Sequence, residues 1–514
     1  MNKNLSISLL LLATSLCVHA QDTTIVIGQR AEGGDIQVNA THFNTNIYTF
    51  SATPDLNNVC LFFMELTKNG KYYKNTGKIG LYKTAERKLK WEKKINYQSK
   101  QAVCTNKGVL TSCGGNNEML SLDDGHTLWE NFSYLSKVID SLNVVISYGD
   151  AFSSKMRAVN LDTGTDVWKV KFDHDYGCSS TMPLIHNRQL MVADNLYDMN
   201  LATGESRSCE LKTGVTDVKA VVLRGLAALA GSVASLGISG GAYSTMFLPT
   251  GNNVIANLCS NICRSDTLYY IADHEKMLAV DTLMHPVWQT EIPDKMASAS
   301  KLAIMGDRLG LLNMGYGLKN GRYPTKKGLP FIAAYDIKSG KQIFLKTLYE
   351  GKHIVKDAFA ADDGFFMLSD STVSYLGIRD TIVAVQKDWD TAKQGKPGEF
   401  IVDAVYVNGT DAESFVPVCS NASQCALFSD NGHVYVMDKS LNIVSDHSAD
   451  DVFFSVTRGD GFRLIANHLY RWIINDAGKA VAQMNPIRIA HAEGNSLLVL
   501  TKDNCVALIN PIIK

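Results

Sequence analysis

The chain alternates short apolar runs with clusters of Gly, Asn and Asp, and long helical patterns are scarce. Asn58 to Leu66, Leu142 to Ser147, Gln189 to Val192, Thr267 to Ile271, Gly364 to Leu368, Val434 to Met437 and Ser496 to Leu500 are each strand-length stretches of apolar or alternating residues. Runs of this length, bounded by turn residues, predict many short β-strands in an all-β domain. Sandwiches, barrels and propellers share that pattern, so strand content alone does not choose among them.

An internal period does choose. The clearest unit spans Ala158, Asn160, Asp162, Thr163, Gly164 and Trp168. The same order recurs from Met119 to Trp129 with Gly125, and from Ala334 to Phe344 with Asp336 and Gly340. Asp198 to Ser208 keeps Gly204 and loses the aromatic. Leu81 to Trp91 keeps the Trp without the Gly, while Ala279 to Trp288, with Asp281, is one residue shorter. Counted at the aromatic slot, the first four copies fall at 91, 129, 168 and 208, in steps of 38, 39 and 40 residues. Each unit reads as a β-hairpin whose Thr/Ser-Gly turn supplies a side-chain hydrogen bond and a positive-φ residue. The return strand carries a large aromatic that fills the space between neighbouring sheets. About 40 residues hold four short strands and their turns, which is one propeller blade.

The pattern A-x-D-x-x-T-G-x-x-x-W resembles the Trp-docking repeat of PQQ-like (quinoprotein-like) β-propellers. That family includes quinoprotein dehydrogenases and non-catalytic outer-membrane assembly lipoproteins. The resemblance is strongest over Gly80 to Leu211 and Asp266 to Leu348, with weaker echoes at Ser371 to Asp388, His433 to Asp446, Leu469 to Gln483 and Cys505 to Pro511. It implies an all-β propeller of four-stranded blades over 21–514, eight as the central expectation within a range of seven to ten. Spacing stretches near 212–258, 314–330 and 389–415, where insertions are expected. A ring avoids exposed edges when its ends share a blade, so Thr23 to Ile27 is expected to pair with the C-terminal Val499 to Ile509 region.

The first 20 residues change the picture of compartment. Lys3, the apolar run Leu5 to Cys17 and the ending Val18-His19-Ala20 have the form of a secretory signal peptide. Leu16 stands beside Cys17 where a lipoprotein signal wants a small residue, which argues against a lipid anchor there. The expected location is periplasmic, cell-surface or extracellular. Ten further cysteines suit an oxidising compartment, and the close pairs Cys104/Cys113, Cys259/Cys263 and Cys419/Cys425 are the candidates for disulfides.

Fifty Lys+Arg balance 51 Asp+Glu, so no net field points to nucleic acid or an anionic membrane. Among PQQ-binding relatives an adjacent Cys-Cys pair is implied near the quinone. Neither that pair nor a C-x-x-C-H haem site occurs here, and neither cofactor is expected. Scattered His residues give no metal motif. Gly237-Ile-Ser239-Gly-Gly241 matches a hydrolase elbow in letters, but that motif needs an α/β sheet. The run from Val221 to Tyr243, charged only at Arg224, reads as packed core, partner contact or membrane contact, in that order. The segment holding Tyr316, Arg322 and Tyr323 combines aromatics with cations and is the candidate recognition loop, set against an ordinary blade insertion. The expected function is a secreted or envelope binding scaffold with a protein partner and no catalysis. The alternative is a quinoprotein-type oxidoreductase or carbohydrate-active enzyme in the same fold.

Overall fold

A computed structural model describes residues 20–148, 155–178, 180–217, 253–351, 353–379, 382–407, 415–453, 455–467, 470–510 and 512. Residues 1–19, and with them Cys17 and all but the last residue of the expected signal peptide, lie outside the described residues, as does the whole of 221–243.

The apolar runs become strands with both faces covered. Asn58–Leu66, Val144–Tyr148 and Gly364–Leu368 are buried almost throughout, whereas the outer strands Thr127–Phe132 and Asp166–Lys171 bury little beyond their Trp. Strands packed on two sides have no solvent face, so they need continuous apolarity rather than alternation.

Among the described residues these strands form ten four-stranded antiparallel units, eight as separate sheets and two as the ends of one nine-stranded sheet that strand Ala20–Arg30 joins. In chain order they cover 47–96, 101–132, 134–171, 180–210, 263–291, 300–347, 357–388, 397–448, 455–484, and 487–509 together with 35–43. We call them blades 1 to 10. Every blade but the eighth packs on the next through a shared apolar cluster. Leu81 and Trp91 meet Val109 and Leu120 between blades 1 and 2, and the series continues around the chain. Strand Ser496–Thr501 of blade 10 shows how the ring closes. Leu497 and Val499 turn to blade 9, while Leu498 and Leu500 turn to Leu61 and Phe63 of blade 1. Alternate side chains of one strand thus join both neighbours. The fold is a closed β-propeller.

The ring has ten blades, at the upper end of the expected range of seven to ten and above its central value of eight. Blades 8 and 9 left only faint echoes because their outer hairpins carry Ser445 and Ala482 at the aromatic slot.

Closure also differs in detail. Thr23 to Ile27 belongs to strand Ala20–Arg30, which pairs with Asp35–Phe43 in an N-terminal hairpin, Thr23 facing Ala40 and Ile25 facing Val38. The second strand of that hairpin, not the first, reaches the C-terminus, with Ala40 facing Ala507 and His42 facing Cys505. The first strand instead borders blade 9, with Gly28 opposite Met484. The hairpin therefore ties blades 9 and 10 together at their outer edges. A β-carbon at Gly28 would lie 2.3 Å from the Gln483 carbonyl, so only glycine permits this approach.

Two smaller sheets interrupt the repeat. Val405–Val407, Phe415–Pro417 and Val452–Phe453 form one of three strands. It wedges between blades 8 and 9, giving Ala404, Val418 and Val452 to one side and Val405 and Phe415 to the other. The second is the candidate binding surface.

Candidate binding surface

The seams between blades define what is regular, and so what is exceptional. In blade 3 the Asn160 carboxamide oxygen accepts from the amides of Asp162 and Thr163 at 2.8 and 3.1 Å. Asp336 does the same for Ser339 at 2.7 Å, and Asp281 for Leu283 at 2.8 Å. The Asp/Asn side chain is thus the main organiser of the turn, with the Thr/Ser hydroxyl secondary at 3.3–3.4 Å. Asp162 has a different task. It takes Lys107 of the preceding blade at 3.1 Å and a hydrogen bond from Asn143.

The turn glycines lie under the tryptophans of the preceding blade. A β-carbon at Gly125 would stand 2.8 Å from Trp91, at Gly164 2.6 Å from Trp129, at Gly204 2.7 Å from Trp168 and at Gly340 2.2 Å from Trp288. All four glycines have φ near +70°, so both the ring contact and the backbone conformation demand them. Trp129, Trp168 and Trp288 each donate through Nε1 to the carbonyl of Leu161, Leu201 or Ile337, at 2.9, 3.1 and 3.3 Å. Phe344 lies against the cluster shared by blades 6 and 7. Trp389, which the repeat did not single out, performs a similar wedge at blade 8, with Nε1 2.8 Å from the Gly395 carbonyl and its ring edge-on to Tyr435.

All ten described cysteines are free thiols, so the three pairings expected from spacing are not formed. Cys104 faces Val109 near the turn of its hairpin, while Cys113 lies at the far end of the same return strand. Four residues of strand separate the two levels, roughly 13 Å, beyond what a disulfide spans. Cys263 donates through Sγ to the Leu302 carbonyl at 3.1 Å instead of meeting Cys259. Burial pushes the thiols of Cys104 and Cys425 up to about 12 and that of Cys263 to about 11, keeping them protonated.

Tyr316, Arg322 and Tyr323 stand together on one hairpin, Tyr316–Lys319 with Tyr323–Lys326, that leaves blade 6 between its second and third strands. Asn320 and Gly321 both adopt positive φ at its tip, a hairpin signal that the Asn-Gly pair carried in the sequence and that went unread there. Strand Val254–Ala256 pairs beside it, Ile255 facing Lys319, and Val215–Thr216 completes a four-stranded sheet. Two insertions 60 residues or more apart in sequence thus build one surface. Lys319 holds Asp217 across it at 3.0 Å.

The base of this sheet is rigidly held. Asn313 is fully buried and donates to the carbonyls of Met296 and Leu329 at 2.8 and 2.6 Å. It accepts from the Ser298 amide at 2.8 Å and the Ser300 hydroxyl at 3.0 Å. Tyr316 is largely buried, and burial, with Asp357 nearby, raises its phenol pKa. Tyr323 is 66% exposed and Arg322 is exposed, so the two present an aromatic and a cation from a fixed platform.

No protein-family model matches the chain, and no curated protein does. Solved structures are similar to it at low identity. BamB from Moraxella catarrhalis is 11% identical over 91% of this chain and 99% of its own, with a TM-score of 0.29. The computationally designed Ika8 protein is 11% identical over 75% and 95%, at 0.30. Hsv2 from Kluyveromyces lactis is 7% identical over 86% and 98%, at 0.29. Likeness at these scores says nothing of function, and the fold rests on the chain's own sheets and seams.

Proposed function

We propose that the chain is an exported binding scaffold of the PQQ-like propeller type, acting through protein–protein contact in the envelope or extracellular space. The Trp-on-glycine seams support the family reading. The observation that carries the binding role is the side sheet, with Arg322 and Tyr323 exposed on a hairpin whose base is fixed by Asn313. Tyr and Arg are the residues most often found as interface anchors, and a rigid platform loses little entropy on docking.

The test is photo-crosslinking from position 323 of the full chain in its native extract, with exposed Lys295 as the control position. A partner captured at 323 and not at 295, and lost roughly tenfold in the Arg322→Ala/Tyr323→Ala pair at unchanged Tm, is the expected outcome. Dye-linked substrate oxidation that depends on added PQQ and calcium would replace this reading with an oxidoreductase.

A further inference from the structure

The seam between blades 4 and 5 breaks the pattern of its neighbours. In blades 1, 2, 3 and 5 the outer hairpin is bulged, and the Trp lies opposite the first residue of the repeat, as Trp168 lies opposite Ala158. The blade 4 hairpin runs in unbroken register from Asn195 opposite Glu210 to Met199 opposite Ser206. Its slot therefore falls on Arg207, opposite Asp198, and not on Ser208 as a count along the sequence gives. The turn that should receive a ring, 281–285 in blade 5, has no glycine.

With no ring stacked there, the seam opens into a cavity of about 290 Å³. Arg188, Arg207, Arg264, His186, Asp198 and Tyr269 line it. Arg188 donates through Nε to both carboxylate oxygens of the nearly buried Asp198 at 2.9 and 3.0 Å, and Arg207 reaches Glu205 at 3.3 Å. Arg264 lies over the Tyr269 ring at 5.8 Å and has no carboxylate partner among the described residues. Three guanidinium groups thus face two carboxylates, leaving one positive charge in excess.

We infer that this cavity binds a small carboxylate, either free or on an acidic side chain of a partner, through Arg264 and Arg207. A guanidinium over the face of an aromatic ring is attracted to it without spending its N–H groups, which leaves them for two parallel hydrogen bonds to a planar anion. The volume suits one side chain or a short dicarboxylate, and is at the lower limit for larger ligands. The site shares no residue with the 316–326 hairpin, so either reading stands or falls without the other.

Calorimetric titration of the full chain with succinate, and separately with a short Glu-containing peptide, tests it. Binding by succinate identifies a free acid, and binding by the peptide alone identifies a partner side chain. Arg264→Gln, at an exposed position that leaves Arg188 and Asp198 paired, is expected to weaken either ligand about tenfold or more. Arg207→Trp, which puts a neutral ring in place of a lining cation, is expected to abolish binding. Unaltered affinity in Arg264→Gln, an equal response to chloride, or no binding of either ligand at millimolar concentration would overturn the assignment.

Discussion

A single indole shows how one residue type serves two energetic roles in this ring. Trp129 is buried and satisfied, its N–H on the Leu161 carbonyl, whereas the equally buried Trp91 Nε1 has no partner among the described residues. Replacing Trp129 by Phe removes a donor from a buried carbonyl and leaves it unpaired, which costs about 1–3 kcal/mol. The same change at Trp91 removes a polar atom that was already unpaired, so the loss is only ring area. Urea unfolding of Trp129→Phe and Trp91→Phe is expected to place the first well below the second in midpoint. Equal midpoints would mean that the Trp129 hydrogen bond contributes nothing net.

Between elements, polar contacts supplement the apolar seams. Glu118 of blade 2 takes Lys93 of blade 1 at 2.5 Å and Lys100 of the connecting segment at 2.7 Å, with the Thr127 hydroxyl beside them. Burial raises its pKa, but hydrogen bonds from Lys100, Lys93 and Thr127 outweigh burial and hold the carboxyl at about 2. An acid whose pKa is depressed on folding contributes stability that is fully present above its unfolded pKa and lost as pH falls through the folded one. The window here runs from the ordinary glutamate value of 4.5 down to about 2. Tm of the wild type is expected to fall across that window by more than that of Glu118→Gln, which has no carboxyl to protonate at this seam. Parallel profiles would show that the ion cluster does not couple to unfolding.

The whole molecule depends on a closure made by a hairpin from the opposite end of the chain. Its first strand borders blade 9 at Gly28 and its second completes blade 10. Gly28→Val places branched carbons against the Gln483 carbonyl and is expected to pry this strand from blade 9. Limited proteolysis should then cut first within 20–43, with a lowered Tm. A variant as resistant as the wild type would show that the hairpin edge on blade 9 is not needed for the closed ring. Ten blades stand on the same cooperative arrangement, since each sheet has two faces to cover and only a ring supplies a neighbour to both.

The residues of the repeat made much of this legible in advance. Trp91, Trp129, Trp168 and Trp288 announced hairpins and seams because a docked indole needs a specific type at a specific spacing, and small blades cannot cover their faces otherwise. Where Ser445 or Ala482 fills the slot, the blade leaves only a weak echo, and the expected number stayed a range from seven to ten. Strand existence, period and the cation-bearing hairpin were local facts, encoded in hydrophobic order and turn chemistry. Closure, the joining of 215–216 and 254–256 with 316–326 in one sheet, the unpaired thiols and the placement of Arg207 in an aromatic slot were not local. They depend on register and on which strand edges meet, and a one-residue bulge shifts both without leaving a mark in composition.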